Sequence, residues 1–347
     1  MLKLVNKEVI GVDIGSHAVK AVQLGKTKGR WSVTAAAIIE VSEKHADSPS
    51  RMEANTVHAI QDCMRIIAPK TKLAVLALGG HDVAVRNFDF PSLPPDELEM
   101  AVLLEARQVC PFSTPDIVVD YDLLPNGSER SKGYFVAATN KLLKHQMKLC
   151  KRAKLNCVLM DVDALALLNC FSQTEQPTDN HGTAILNLGG RSTTLAVEGN
   201  QGRPFVRTLG YSGNEVVRQI AEKTSQTSED VRRSLAGETK NIPLPVDNAL
   251  SEASSVLIGD IIKTIRFYGS QQNSFEIERL LVCGGFSLYG RLVEVLRERL
   301  PVKVELWNPF DKMECHTRIL HGMLLKKILR QNGPAMAVAA GLAMRTI

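Results

Sequence analysis

Val9-Ile-Gly-Val-Asp-Ile-Gly-Ser16 is the stretch that decides the fold. It is an apolar run that ends in a carboxylate and a glycine, and a second β-rich run, residues 18–24, follows at once. The pattern predicts a tight β-hairpin, and residues 31–41 extend it as a third strand. A Rossmann chain begins differently, because its first strand leads through G-x-G-x-x-G into a helix. That fingerprint is absent here.

The same plan returns in the second half of the chain. Ala184-Ile-Leu-Asn-Leu-Gly-Gly-Arg191 is again an apolar strand with a polar residue and a glycine turn, and residues 193–198 form the returning strand. Weak internal similarity of this kind indicates two related domains. A third glycine turn, Cys283-Gly-Gly-Phe-Ser287, ends another apolar strand.

Residues 80–140 interrupt the first domain. They predict a strand at 83–90, a helix at 98–109 that begins after prolines, and paired strands at 117–124 and 133–139 around a Pro-Asn-Gly turn. We expect an inserted small α+β subdomain. The next predicted helix, 142–153, has a basic face, which we interpret as a solvated surface.

Composition bounds the class of protein. The length of 347 residues predicts two domains of ordinary size or four compact subdomains. A content of 44% hydrophobic and 23% charged residues is typical of a mixed α/β globular protein. A net charge of +5 without a dense Lys/Arg block does not favour nucleic acid as a partner. Seven cysteines, an odd number without C-x-x-C, predict buried thiols in a reducing compartment. Neither a secretory leader nor a membrane-spanning run is expected, so any membrane contact would come through partners.

The three glycine turns suit a nucleotide cleft. Glycine allows backbone N–H groups to approach phosphate oxygens without an intervening side chain. One such turn alone is usually only a turn, but three in this order and spacing form a stronger signal. The set resembles the phosphate-1, phosphate-2 and adenosine motifs of the actin, sugar kinase and Hsp70 superfamily.

Within that superfamily the chain resembles the type IV pilus assembly PilM family. The resemblance spans nearly the whole chain and rests on residues 10–16, 90–98, 105–112, 118–121, 210–214, 284–285 and 307–310. It implies an α/β, actin-like (ribonuclease H-like) two-domain fold with an inserted small α+β subdomain. The implied units are residues 1–79 and 141–180 for the first domain, 80–140 for the insertion and 181–347 for the second domain with a C-terminal helix.

The resemblance also implies binding of ATP and Mg²⁺. Asp13 would face the metal, although a strand-end carboxylate can also simply cap a turn. Lys20 would reach a phosphate or point to solvent, and Lys263 with Arg266 would approach adenine or form a solvated helix face. The implied nucleotide-binding residues are Asp13, Gly15, Ser16, His17, Lys20, Gly189, Gly190, Arg191, Ser192, Thr193, Gly213, Asn214, Lys263, Gly284, Gly285 and Phe286.

Two positions depart from the superfamily pattern. Asn187 stands where the phosphate-2 turn commonly carries an aspartate, and an amide offers neither a charge nor a base. His17 replaces a small hydroxyl residue and would crowd or contact the terminal phosphate. No catalytic residue is assigned, and we expect nucleotide binding with slow or no hydrolysis.

The implied function is a cytoplasmic scaffold, peripheral to the inner membrane, that binds the N-terminal tail of a PilN-like membrane protein beside the insertion. The pilus motor ATPases are further candidate partners. Phe88, Phe90 and Phe112 are candidates for the tail groove, with core packing as the alternative. Competing functions are a small-molecule kinase of the superfamily, an FtsA-like division protein, which carries a further membrane helix, and the cytoplasmic part of a GspL-like secretion protein.

Overall fold

The computed structural model describes residues 8–42, 48–112, 116–125, 130–175, 182–199, 202–237, 242–271, 274–315 and 319–346. The Pro-Asn-Gly turn expected between the paired strands of the insertion lies largely outside these residues.

The first half alternates strands and helices. In chain order it contains β1 (Ile10–Ile14), β2 (Ala18–Thr27), β3 (Arg30–Glu40), α1 (Pro49–Ile67), β4 (Leu73–Leu78), β5 (Val83–Pro91), α2 (Pro95–Val109), β6 (Ile117–Leu123), β7 (Arg130–Thr139), α3 (Asn140–Arg152), β8 (Asn156–Val162) and α4 (Asp163–Thr174).

The second half has the same character. It contains β9 (Gly182–Leu188), β10 (Thr193–Glu198), β11 (Pro204–Leu209), α5 (Gly213–Thr224), α6 (Ser228–Ala236), α7 (Leu244–Gly269), β12 (Ile277–Cys283), α8 (Gly290–Arg299), β13 (Lys303–Leu306), β14 (Glu314–Cys315), α9 (Ile319–Asn332) and α10 (Ala337–Ala343). A 3-10 turn, Gly285–Leu288, connects β12 to α8.

Two sheets repeat one topology. The first has the strand order β14-β3-β2-β1-β4-β8 and the second the order β11-β10-β9-β12-β13. In each, an antiparallel three-stranded meander is joined by two strands that run parallel to its first strand. The repeat predicted from the two hairpin motifs is therefore confirmed.

The insertion forms a third sheet with the order β5-β7-β6, covered by α2. β6 and β7 pair antiparallel, as the sequence predicts. The side chain of Phe88 is buried in the core of this unit, stacked on Phe90 with 5.1 Å between ring centroids, and Phe112 is half-buried against it. Core packing is thus what the structure shows for Phe88.

Small residues let α10 cross the first domain at close range. A Cβ atom on Gly341 would lie 1.9 Å from the carbonyl oxygen of Ala166 in α4, and one on Gly11 would lie 2.1 Å from that of Ala339. Real Cβ contacts are never this short, so both positions require glycine. The sequence predicts a small-residue helix over residues 335–344 that allows close packing, and this segment does pack closely. It is preceded by a 3-10 turn that begins at Gly333.

Several features differ from the sequence-based expectation. The sequence patterns predict none of β11, β14 and α9. They predict a helix over residues 250–268, whereas α7 begins six residues earlier, at Leu244. Four of the seven cysteines are buried and three are half-buried, namely Cys110, Cys157 and Cys315, and all seven are free thiols.

Candidate functional site

The first glycine turn brings a cation and a carboxylate together. Asp13 on β1 lies opposite Lys20 on β2 in the antiparallel register, so both side chains project from the same face. Lys20 Nζ lies 3.1 Å from Asp13 Oδ2, and their side chains are 11% and 17% exposed. A Cβ on Gly15 would lie 2.6 Å from Lys20 Nζ. Glycine in the turn therefore leaves room for the lysine head group, which is mostly buried beside Asp13 and is not exposed to solvent.

The second glycine turn faces the first across the two domains. A Cβ on Gly190 would lie 2.4 Å from Ser16 Oγ and 2.7 Å from His17 Nδ1, two atoms that are themselves 2.8 Å apart. The turn is tied to the start of α5, because the amides of Gly213 and Asn214 donate to the carbonyls of Gly189 and Gly190 at 3.0 Å. Ser16, His17 and Gly190 thus meet where the two hairpins approach each other.

The third glycine turn closes the second domain's side of the cleft. Gly284 has φ +90°, a left-handed conformation that favours glycine, and its absent Cβ would lie 2.4 Å from Asn187 Oδ1. Phe286 lies directly on Gly213, where a Cβ would come within 2.3 Å of the ring. His17 approaches the edge of Phe286 with 6.3 Å between centroids. All three turns therefore converge on one cleft.

Asp163 is a further carboxylate near Asp13, at a position where the sequence predicts only the start of a helix over residues 163–171. Asp163 directly follows β8. The strands β1, β4 and β8 all run in the same direction, so their carboxyl ends lie along the same edge of the sheet. Burial raises the pKa of Asp163 to about 7. The backbone N–H of Ala164 donates a hydrogen bond to the Asp163 carboxylate at 2.7 Å, which lowers the pKa, whereas the nearby charge of Asp13 raises it further.

Arg232 on α6 is a second residue that sequence reasoning missed. Its guanidinium lies over the Phe286 ring at 5.5 Å and donates to Asn214 Oδ1 at 3.0 Å. The side chain thereby joins two of the predicted nucleoside residues. A polar residue on a short amphipathic helix carries no signal by itself. Its role becomes visible only once Phe286 and Asn214 are placed.

The remaining predicted residues differ in their exposure. Lys263 is 79% exposed on α7 and lies 4.0 Å from Asp260, and Arg266 is also exposed. Their approach to adenine stays a prediction. Arg191 is exposed at the tip of the second turn, whereas Thr193 is fully buried and its hydroxyl has no hydrogen-bond partner among the described residues. Ser192 and Gly285 are half-buried, and Ser192 Oγ would lie 3.8 Å from a Cβ on Gly80 of the first domain.

The convergent groups fit a nucleotide and a hard cation. Lys20 and the glycine-lined backbone of two hairpins suit a phosphate chain, and the oxygens of Asp13 and Asp163 suit Mg²⁺. Within the described part of the chain no cluster of three metal-ligating side chains occurs. That is compatible with Mg²⁺, which keeps several waters and needs only one or two carboxylates.

Comparison with known proteins identifies the fold. Residues 11–347 match the family described as type IV pilus assembly protein PilM. The structure is similar to that of a PilM-PilN type IV pilus biogenesis complex (TM-score 0.80, 23% identity, 98% of each chain). It is also similar to the ethanolamine utilization protein EutJ from Carboxydothermus hydrogenoformans (0.55, 12%, 96% of this chain and 88% of that one). A third similar structure is that of a diol dehydratase-reactivating factor in nucleotide-free form, with a TM-score of 0.56 and 10% sequence identity over 97% of this chain and 99% of that one.

These similarities show an actin-like, two-domain α/β fold, as the sequence predicts. None of the helices in the described residues has the length and apolar character needed to cross a bilayer.

Proposed function

The chain belongs to the type IV pilus assembly protein PilM family, and from this premise we propose that it is an ATP-binding scaffold of the pilus assembly platform at the cytoplasmic face of the inner membrane. It binds the N-terminal tail of a PilN-like protein and hydrolyses ATP slowly or not at all. The family match over residues 11–347 carries this proposal. It does not favour the kinase, division-protein or secretion-protein alternatives.

The three converging turns support the nucleotide part of the proposal. Lys20 and the turns around Gly15 and Gly190 would hold the phosphates, Asp13 and Asp163 would hold Mg²⁺ with its waters, and Phe286 would flank the nucleoside. The bound Mg²⁺ would supply charge neutralisation of the phosphates. The buried ion pair of Lys20 with Asp13 keeps the lysine oriented into the cleft before a ligand arrives.

Asn187 supports the absence of rapid hydrolysis. Its side chain occupies the position from which the superfamily pattern expects a carboxylate to orient water, and an amide cannot accept a proton at neutral pH. Its Oδ1 atom lies against Gly284, where it serves the contact between the second and third turns.

The insertion supports the partner part of the proposal. Met100 and Leu104 are one turn apart on α2 and are 67% and 59% exposed. β6 is an edge strand of the inserted sheet, and its Val118 and Leu123 are 43% and 49% exposed. A short extended tail with apolar side chains would find unpaired backbone groups and apolar contacts on this unit. The motor ATPases remain further candidate partners.

The nucleotide part is tested by the nucleotide content and Mg²⁺-dependent ATP hydrolysis of the purified chain beside an Asp13→Ala variant. We expect bound ATP in the wild type, its loss in the variant and little turnover in either. Brisk turnover, or no nucleotide binding at any Mg²⁺ concentration, would contradict this part.

The partner part is tested with a synthetic tail peptide. A Met100→Glu, Leu104→Glu double variant should bind it at least tenfold more weakly. The matched control is Met323→Glu, Leu324→Glu, which changes two residues of similar exposure, 70% and 61%, on α9. Equal loss in both variants, or no affinity of the wild type for the peptide, would remove the insertion as the docking unit.

A further inference from the structure

α3 presents a broad cationic surface. We define the α3 basic face as Lys141, Lys144, Lys148, Lys151, Arg152 and Lys154, all of which are exposed. The helix contains no acidic residue, and its buried side chains, Gln146, Leu149 and Cys150, lie on the opposite side. At 100° per residue the five cations inside the helix span about 100° of arc. The face is therefore a continuous stripe of positive charge.

Neutralisation of this face by neighbouring acids is limited. Glu53 on α1 pairs with Lys148 at 2.9 Å and with Arg152. Lys141, Lys144, Lys151 and Lys154 have no ion-pair partner among the described residues. Lysines that repel one another without compensation cost stability, so their presence together is better explained by an external anion than by folding.

An exposed apolar side chain lies within the cationic face. Met147 is 57% exposed and, by its i−3 and i+4 spacing, lies between Lys144 and Lys151. Cationic side chains with an exposed apolar side chain between them are typical of a surface that lies at a lipid–water interface.

The C-terminal end of this surface lies away from the nucleotide cleft. The first glycine turn follows the carboxyl end of β1, and β8 runs in the same direction as β1 within the sheet. Lys154 precedes the amino end of β8, at the opposite end of the sheet from the glycine turn. Lys72, which is also exposed, lies at the same end, because its carbonyl accepts a hydrogen bond from the amide of Asn156 at 2.8 Å. The cleft thus stays accessible when this end of the domain contacts a flat surface.

We propose that the α3 basic face binds the surface of an anionic lipid bilayer directly, with Met147 inserted among the headgroups. This contact goes beyond membrane association through a partner and does not depend on the partner or on nucleotide. It differs from the sequence-based interpretation of the helix as a solvated surface.

A bilayer explains the face better than nucleic acid does. Surfaces that bind single-stranded nucleic acid interleave cations with aromatic side chains for base stacking, and α3 contains no Phe, Tyr or Trp. An exposed methionine between two lysines contributes nothing to contact with phosphates of a duplex. It adds apolar burial at a headgroup boundary.

The test is sedimentation of the purified full chain with phosphatidylglycerol-containing vesicles and with pure phosphatidylcholine vesicles. Each lysine near an anionic surface changes affinity by about fivefold. The variant Lys141→Gln, Lys144→Gln, Lys151→Gln, Lys154→Gln should therefore bind the anionic vesicles at least tenfold more weakly. The matched control replaces four exposed lysines of the second half, Lys223, Lys303, Lys312 and Lys327, by Gln and should bind like the wild type.

A Met147→Ser variant, which removes the apolar side chain without adding a charge, separates lipid from other anions. It should weaken vesicle binding by several-fold and leave any binding of a random-sequence DNA duplex nearly unchanged. Three results would overturn the proposal: equal binding to neutral and anionic vesicles, equal loss in both four-lysine variants, or tight DNA binding without vesicle binding. Circular dichroism of each variant checks that the fold is retained.

Discussion

Replacement of Asp163 by Asn should stabilise the protein at alkaline pH and leave its stability almost unchanged at acid pH. Burial holds the pKa of Asp163 at about 7 in the folded chain, against 3.8 for an ordinary aspartate. A difference of about three pH units corresponds to roughly 4 kcal/mol. Between these two values the unfolded chain releases a proton that the folded chain keeps. The contribution of Asp163 to the free energy of unfolding therefore falls by about 1.4 kcal/mol per pH unit and is lost above pH 7.

The assay is urea unfolding of the wild type and of Asp163→Asn at pH 5 and pH 8. The difference between variant and wild type isolates Asp163, because other titrating groups contribute equally to both. Asn retains an oxygen that can accept the hydrogen bond from Ala164, so the change is mainly one of charge. We expect the variant to gain stability relative to the wild type between pH 5 and pH 8, by 2–3 kcal/mol as an order of magnitude.

Asp89 supplies a control of opposite sign. Its hydrogen bond from Arg130 lowers its pKa, so the stability it contributes is present above the unfolded pKa and is lost as the pH falls through the folded one. Asp89→Asn should therefore lose, not gain, stability relative to the wild type as the pH rises from 3 to 6. If the difference for Asp163→Asn is the same at pH 5 and pH 8, Asp163 is ionised in the folded chain and the reasoning is wrong.

Four further predictions, two of them with a control substitution, test the site and the core. Asp13→Asn should lower Mg²⁺-dependent ATP affinity at least tenfold in calorimetry, with its Mg²⁺-free affinity changed less. Arg232→Ala should weaken ATP binding about fivefold or more. Arg232→Lys should recover little of the lost ATP affinity, because an ammonium lacks the planar contact with a ring. Full recovery of the affinity would show that only the charge matters. Asn187→Asp should raise ATP turnover, and an unchanged rate would show that something else limits hydrolysis. Gly341→Ala should cost about 2 kcal/mol or more in urea unfolding through its clash with α4, whereas Gly259→Ala, in open space on α7, should stabilise by about 0.5–1 kcal/mol.

Local pattern determined which parts of the fold were predictable. Each hairpin is encoded within about 15 consecutive residues, so apolar alternation and the glycine turns sufficed to place β1, β2, β9 and β10. β11 begins with a proline and carries Arg207 in its middle, features of an edge strand that weaken the strand signal. Its assignment depends on pairing with β10, which no local window contains.

The glycine turns and Lys20 beside the first of them follow from local sequence, and the family resemblance added Gly213 and Asn214 on α5. Asp13, Ser16 and Gly190 were found because turn chemistry is local. Asp163 is 150 residues from Asp13, and only the shared direction of β1, β4 and β8 brings their carboxyl ends together. A search for carboxylates at the ends of predicted parallel strands would have included it.

The position of Asn187 suggests why this cleft carries an amide there. Asn187 pairs in register with the buried Cys283 and its Oδ1 lies against the backbone of Gly284, so a carboxylate at this position would lose hydration. Asp163 is already a desolvated carboxylate, and the charge of Asp13 raises its pKa further. A third carboxylate would add repulsion to the same cleft before any cation binds. An amide keeps the contact between the second and third turns without this repulsion. An amide at this position therefore fits the proposed scaffold, which would bind a nucleotide but lack the base that rapid hydrolysis requires.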